Sequence, residues 1–272
     1  MLTNKRILFV GGGAIAEALV RGMLQAGLVS AGQLTVVDVS ADRLDYMAKT
    51  YKVATARDSA AAAAKADVLF LTVKPQVIGE VLTVLSPAVA KTTLVVSVAA
   101  GVTLATLEDK LPETPVIRVM PNTPVAVGAG MSALALGRHA SDKDGEVAAA
   151  LFAAVGRVVT VKEDAMDAVT GLSGSGPAFA YVMIDALADA GVRVGLPRQT
   201  AITLAAQTLY GAAKMVLETG EHPAKLRDMV TSPAGTTIAG VHTLEQKGVR
   251  AALMDAVVAA TERSREMGQK HK

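Results

Sequence analysis

Cysteine and tryptophan are both absent from these 272 residues, and phenylalanine and tyrosine number four each. Without Cys there is no disulfide, no thiolate nucleophile and no Cys-ligated zinc or iron–sulfur site. No metal site of any kind is expected. The lack of Cys is compatible with a reducing compartment, and a cytoplasmic location is expected. Aromatics at 3% leave no stacking platform, and Lys+Arg 27 against Asp+Glu 25 leaves no surface for tracking phosphates, so nucleic acid is not an expected partner. Long apolar runs are missing too, although hydrophobic residues make up 51% of the chain. The longest stretch without a charge, Val119 to Gly137, contains Pro121, Asn122, Pro124 and three glycines, which no spanning helix would tolerate. The apolar run Ile7 to Val10 is too short for a signal peptide, so no membrane association is expected. The surplus of Ala and Val fits parallel strands and a buried subunit interface.

What is present begins with a glycine turn, Gly11-Gly12-Gly13-Ala14-Ile15-Ala16. Before it, Arg6 to Val10 reads as a buried strand. After it, Ala14 to Gln25 carries Ile15, Leu19, Met23 and Leu24 at helical spacing and ends at Gly27. Strand, glycine turn and helix open a dinucleotide-binding βαβ unit with the spacing G-x-G-x-x-A. The glycines let the backbone approach a pyrophosphate, which sits on the amides of a helix N-terminus. The expected contacts run from Val10 through Ala16.

Leu34 to Asp38 is the second strand, and Asp38 lies where an acidic residue receives the adenosine ribose. A carboxylate there repels a 2′-phosphate and favours NADH, whereas Ser40 and Arg43 could hold such a phosphate, so NADPH or NADH is left open. Asp38 could also cap the helix over 42–51. Two more strands, Asp67 to Val73 and Thr93 to Val98, run into Lys74-Pro75-Gln76 and Ala99-Ala100-Gly101, at the carboxyl ends where open α/β sheets bind ligands. Lys74 could reach a cofactor oxygen or could be an ordinary loop lysine. Val116 to Met120 enters Pro121-Asn122-Thr123-Pro124, a stiff loop in which Asn122 either orients the nicotinamide end or serves the turn. Val73, Pro75 and Ser59 complete the expected cofactor-facing set.

Up to about Val161 strands and helices alternate, as in a doubly wound parallel sheet of the Rossmann type. From Glu163 onward only helical stretches are expected, near 163–172, 176–193, 198–218, 223–230, 235–246 and 249–268. The fold class is therefore α/β, with a dinucleotide-binding domain over 1–162 and an all-helical domain over 163–272. The stretch 176–193 is apolar on most of its circumference, which is typical of a buried helix. A half-chain this short implies a partner subunit as the other wall.

Two glycine-rich polar stretches mark the helical half. One is Gly171-Leu172-Ser173-Gly174-Ser175-Gly176-Pro177-Ala178, where Pro177 suits the first turn of a helix. The other is Thr231-Ser232-Pro233-Ala234-Gly235-Thr236-Thr237, where free amides and two hydroxyls make a site for a carboxylate. Each alone reads as a well-capped helix; both in a dinucleotide protein point to a substrate site with Ser173, Ser175, Ser232, Gly235, Thr236 and Thr237. An alcohol substrate needs a general acid/base, commonly His or Lys. None of His139, His222, His242 and His271 sits in an evident site motif, and no lysine occurs between Lys162 and Lys214. A C=N substrate fits better, because an imine can arrive protonated.

The chain resembles the pyrroline-5-carboxylate reductases over essentially its whole length. The resemblance is carried by Phe9-Val10-Gly11-Gly12-Gly13, Val73-Lys74-Pro75-Gln76, Val98-Ala99-Ala100-Gly101 and Met120-Pro121-Asn122-Thr123-Pro124. The helical half adds Leu172 through Ala178, His222-Pro223 and the stretch from Leu226 through Asp228-Met229-Val230-Thr231-Ser232-Pro233-Ala234-Gly235-Thr236-Thr237, which is specific to this family. It implies reduction of 1-pyrroline-5-carboxylate to L-proline with NADPH or NADH, the last step of proline biosynthesis. It also implies a homodimer with interleaved helical domains, often assembled further, with the substrate carboxylate at Gly235–Thr237 and the Thr237 hydroxyl on the substrate. The sequence departs from the family at Ala14-Ile15, usually Asn-Met, at Ala234, commonly Gly, and at Phe179, often Tyr. Cofactor contacts at Ala14 and Ile15 are therefore backbone contacts. A silent nucleotide-binding protein, or a reductase of a six-membered cyclic imine, stays open on the sequence.

Overall fold

The first strand, β1 (Ile7–Val10), is buried at every residue, as expected for a run of four large apolar side chains with sheet on both sides. The computed structural model describes Leu2 and residues 4–269. After β1 come α1 (Ala14–Gln25), β2 (Leu34–Val37), α2 (Ala41–Tyr51), β3 (Ala54–Ala56), α3 (Ser59–Ala63) and β4 (Val68–Leu71). Then follow α4 (Ile78–Leu85), β5 (Leu94–Ser97), α5 (Leu104–Lys110), β6 (Val116–Pro121), β7 (Gly130–Leu136), α6 (Asp142–Ala153) and β8 (Gly156–Thr160). The described strands form one sheet in the order β3-β2-β1-β4-β5-β6-β7-β8.

Every pairing is parallel except β6 with β7. The doubly wound parallel sheet is as expected, with one antiparallel pair inside it. A parallel return needs a crossover of a dozen or more residues. Only the short stretch between Pro121 and Gly130 joins β6 to β7, and it holds a single 3₁₀ turn, Thr123–Val127. The strand therefore comes back beside its neighbour. β3, β7 and β8 had no strand expectation, and β7 opens on Gly130 and carries Ala133 and Ala135, weak strand formers.

Alternation along β1 distributes the core to both faces. Ile7 and Phe9 join Leu19, Met23, Phe70 and Phe152 on one side; Leu8 and Val10 join Leu69, Leu71, Leu82 and Val95 on the other. Phe9 stacks on Phe70 with centroids 4.6 Å apart, and Phe70 meets Phe152 at 6.0 Å. Each such ring contributes about 1.5–3 kcal/mol by burial. The carboxyl ends of β1, β2, β4 and β5 are thus anchored by their own side chains.

Beyond β8 the helical stretches have the expected bounds to within one residue, with one exception. The expected helix over 163–172 breaks into a 3₁₀ turn (Glu163–Ala165), α7 (Met166–Val169) and a π-helical turn (Thr170–Gly174). π-turns are rare and concentrate at functional sites. Then come α8 (Gly176–Arg193), α9 (Arg198–Thr219), α10 (Pro223–Met229), α11 (Thr236–Gln246) and α12 (Val249–Gln269). By compactness one unit runs through Gly174 and takes back the chain from Ala260, and the other is Ser175–Ala259.

Within the second unit α8 packs on α9, where Gly191 meets the Ala201 methyl; a Cβ on Gly191 would lie 2.8 Å from it. Among the described residues of that unit, only Ala188, Ala201 and Ala205 are fully buried. Tyr181, Val182, Leu204, Tyr210, Leu217 and Met254 are all exposed in the single chain. The expectation that α8 is buried does not hold within one chain. Three alanines do not make a core. None of the described helices is long and apolar enough to cross a membrane.

Candidate active site

The glycine turn is built by close approach of backbone. Gly11 has φ +99°, and a Cβ there would lie 2.8 Å from the Thr72 carbonyl oxygen, so only glycine fits. The Thr72 hydroxyl donates to the Gly11 carbonyl at 2.6 Å, and the Gly11 N–H donates to Val37 at 2.8 Å. Ends of β1, β2 and β4 are thereby tied into one turn. At Gly13, by contrast, an added Cβ would meet no described atom within 4 Å. Gly13 is also the N-cap of α1 and provides no side-chain cap. The first-turn amides over Gly13, Ala14, Ile15 and Ala16 are left for an anion. These residues fit a dinucleotide pyrophosphate.

Asp38 stands at the exit of β2. Its Oδ2 accepts the Gly12 N–H at 2.7 Å and its Oδ1 accepts the Ser40 N–H at 2.9 Å. The carboxylate is fixed against the glycine turn, where the adenosine ribose is received in such folds. The α2 helix is capped instead by Ser40, whose hydroxyl accepts the Arg43 N–H at 3.3 Å, so Asp38 is not its cap. Arg43 folds back, donating from Nε to the Gly12 carbonyl and from Nη2 to Glu17 Oε2. Both Tyr46 and Tyr51 donate their hydroxyls to Glu17 Oε1 at 2.8 Å.

Burial pushes the Glu17 carboxyl up, but its bonds to Arg43, Tyr46 and Tyr51 outweigh that and hold it below the ordinary 4.5. Burial and the neighbouring Glu17 carboxylate push the Tyr51 hydroxyl up to about 12. This cluster had no sequence signal. Glu17 lies 26 residues from Arg43 and 34 from Tyr51, and only the packing of α2 beside α1 brings them together.

The other expected cofactor residues sit at strand exits of the same unit. Val73 and Lys74 follow β4, with Lys74 exposed and Pro75 opening a 3₁₀ turn. Ala99, Ala100 and Gly101 follow β5, and Gly101 takes φ +76°. Ser59 is the first residue of α3. Asn122 proves to be a latch: its Oδ1 accepts the Met131 N–H at 2.8 Å and its Nδ2 donates to the Ser173 carbonyl at 3.2 Å. Ser173 lies in the π-turn, which ends at Gly174.

In the second unit, Ser175 is the N-cap of α8, with Pro177 in its first turn. Ser232 opens a tight turn closed by the Gly235 N–H on its carbonyl at 3.1 Å. Ala234, third in that turn, has φ +56°, the left-handed region that favours glycine. A Cβ on Gly235 would lie 2.3 Å from Ser232 Oγ, so a larger residue there would turn that hydroxyl aside. Gly235 is the N-cap of α11 and again supplies no side-chain cap, so the first-turn amides of Thr236, Thr237 and Ile238 are left for an anion. Thr237 is half-buried and Thr236 exposed. His222 caps α10 through Nδ1, which accepts the Ala224 N–H at 3.2 Å. His271 lies outside the described residues.

Comparison with known proteins gives two family matches: pyrroline-5-carboxylate reductase dimerisation over residues 163–267, and NADP oxidoreductase coenzyme F420-dependent over residues 6–101. A pyrroline-5-carboxylate reductase of Methanosarcina acetivorans is 48% identical over 270 residues, covering 99% of this chain and 100% of that one. The solved structure of a pyrroline-5-carboxylate reductase from Coxiella burnetii superposes with a TM-score of 0.93 at 36% identity, over 97% of this chain and 99% of that one. That of Plasmodium falciparum pyrroline carboxylate reductase, with NADP bound, gives 0.85 at 31% identity, over 97% and 98%.

Proposed function

The chain belongs to the pyrroline-5-carboxylate reductase family, and from that premise we propose how its residues divide the work. It is an NAD(P)H-dependent oxidoreductase that reduces 1-pyrroline-5-carboxylate to L-proline, the last step of proline biosynthesis. Residues 1–162 hold the dinucleotide and residues 163–272 hold the substrate and the partner subunit. When bound, the nicotinamide supplies the hydride.

The glycine turn over Gly11 to Ala16 receives the pyrophosphate on the free amides from Gly13 to Ala16, and Asp38 receives the adenosine ribose. Val73, Lys74, Pro75, Ala99, Ala100 and Gly101 form the floor along the strand exits, with Ser59 at the adenosine side. Asn122 holds the π-turn in place. At the other end of the reaction, the substrate carboxylate meets the Gly235–Thr237 turn on the free amides of Thr236 and Thr237, and the Thr237 hydroxyl contacts the substrate. Ser173, Ser175 and Ser232 are assigned to substrate binding as well. A cyclic imine arrives protonated, so orientation and the clamp do most of the work.

The observation that carries this reading is the α11 N-terminus, a glycine-capped helix end with two threonines in its first turn and no side-chain cap of its own. The uncovered apolar side chains of α8 and α9 support a homodimer whose helices wall the site from both subunits. A cytoplasmic location agrees with the composition. The test mixes purified protein with 1-pyrroline-5-carboxylate and NADH or NADPH and follows the absorbance of the reduced cofactor. Oxidation with neither cofactor would refute the reading.

A further inference from the structure

Two residues that could hold a 2′-phosphate beside the adenosine ribose, Ser40 and Arg43, are both engaged elsewhere. The Ser40 hydroxyl caps α2, and the Ser40 N–H is on Asp38. The Nε–Nη2 edge of Arg43, one of its bidentate forks, is closed on Gly12 and Glu17, and its guanidinium carbon lies 5.0 Å from the centre of the Tyr46 ring. The Glu17 carboxylate that holds it is itself anchored by two tyrosine hydroxyls at 2.8 Å. Arg43 and the two tyrosines hold the Glu17 carboxyl below its ordinary 4.5.

The charge count at this edge is then two carboxylates, Asp38 and Glu17, against the one guanidinium already neutralised by Glu17. A 2′-phosphate would bring roughly −1.5 to −2 charges toward Asp38. A free ribose hydroxyl instead finds a fixed acceptor. We propose that Glu17, by holding Arg43 back against α1, acts with Asp38 to make this chain bind NADH more tightly than NADPH. Glu17 is a positioning residue here: it meets Arg43 and the tyrosines, and acts on the nucleotide only through Arg43. The proposal rests on the dinucleotide reading of the glycine turn and names which nucleotide that turn prefers.

The test is a fluorescence titration of the full chain with NADH and with NADPH, scored as the ratio of the two dissociation constants. NADH is expected to bind tighter by roughly tenfold or more. Asp38→Ser should shrink the ratio. Glu17→Gln keeps an acceptor for the tyrosines but drops the ion pair, and should shrink the ratio by at least about threefold. Adding Arg43→Ala to Glu17→Gln should restore it, because the gain runs through the released guanidinium. Thermal midpoints are taken alongside. A Glu17→Gln protein that weakens both nucleotides equally, leaving the ratio unmoved, overturns the role of Glu17. A wild-type ratio of one or below overturns the preference. Failure to bind either nucleotide removes the dinucleotide reading and the proposal together.

Discussion

The side-chain amide of Asn122 bridges two segments that no local pattern joins: it accepts the Met131 N–H at 2.8 Å and donates to the Ser173 carbonyl at 3.2 Å. The loop after β6 is thereby fastened both to β7 and to the π-turn that precedes α8. Asn122→Ala should cost about 1–3 kcal/mol, since it leaves the Met131 N–H and the Ser173 carbonyl without their partner. Asn122→Asp keeps the acceptor for Met131 but sets a carboxylate against a carbonyl, and should be no milder. Urea unfolding of the two variants checks this. An unchanged midpoint for Asn122→Ala would show that the latch carries no weight.

Thr237 tests the substrate clamp. Thr237→Ala should lose a hydrogen bond to a charged group, about 1.5–3 kcal/mol, or roughly 10- to 150-fold in kcat/KM. Thr237→Ser, which keeps the hydroxyl, should recover most of it. A loss under about threefold for the alanine variant would place Thr237 away from the substrate.

Ala234 sits at φ +56° in the turn that presents α11. A left-handed L-residue costs roughly 1–2 kcal/mol, and glycine avoids it while giving back about 0.5–1 in unfolded-state entropy. Ala234→Gly should therefore raise stability by about 0.5–1 kcal/mol, and Ala234→Val should lower it. Chemical denaturation of the pair decides; a lower midpoint for the glycine variant would contradict the conformational argument.

Tyr51 predicts an alkaline limit. Its hydroxyl goes from the ordinary 10.0 up to about 12 in the folded chain, from burial first and from Glu17 second. A raised folded pKa contributes stability that is complete below 10 and is lost as pH climbs toward 12. Tyr51→Phe should flatten the stability curve in that window, at the cost of one hydrogen bond at neutral pH. Unfolding midpoints measured between pH 8 and pH 12 give the comparison. If the wild type and the phenylalanine variant fall in parallel above pH 10, another group is responsible.

The apolar side chains left exposed on α8 and α9 predict association. Light scattering at micromolar concentration should return at least two chains per particle. Charges placed at Val182 and Leu204, 69% and 52% exposed in the single chain, should shift the population toward monomer. A wild-type monomer at that concentration would contradict the dimer.

Much of the fold was legible because its signals are local. Ala14 to Gln25 reads as a helix from its apolar spacing and has those bounds, and the stretch 176–193 does the same with Pro177 in its first turn. The glycine turn was readable because only glycine tolerates φ +99° at Gly11 against the Thr72 carbonyl. The strand at Gly130–Leu136 was not readable, because its alanines carry little strand preference and its partner β6 decides its place. The helix expected over 163–172 failed for a related reason. Composition there is helical, but the π-turn is held by Asn122, 51 residues away in sequence at the end of β6.

By itself the sequence determined the order of elements, the glycine turn, the glycine-capped start of α11 and the absence of a lysine between Lys162 and Lys214. Each of these depends on a few neighbouring residues and on backbone chemistry. Only the tertiary structure decided what each polar side chain holds. Asp38 pairs with the Gly12 amide rather than capping α2, Arg43 turns to Glu17, and the Asn122 amide is taken up by Met131 and Ser173. The bonds to Gly12, Glu17 and Ser173 span 26, 26 and 51 residues. A polar group in a folded chain must find a partner, and which one it finds depends on which strands and helices pack side by side.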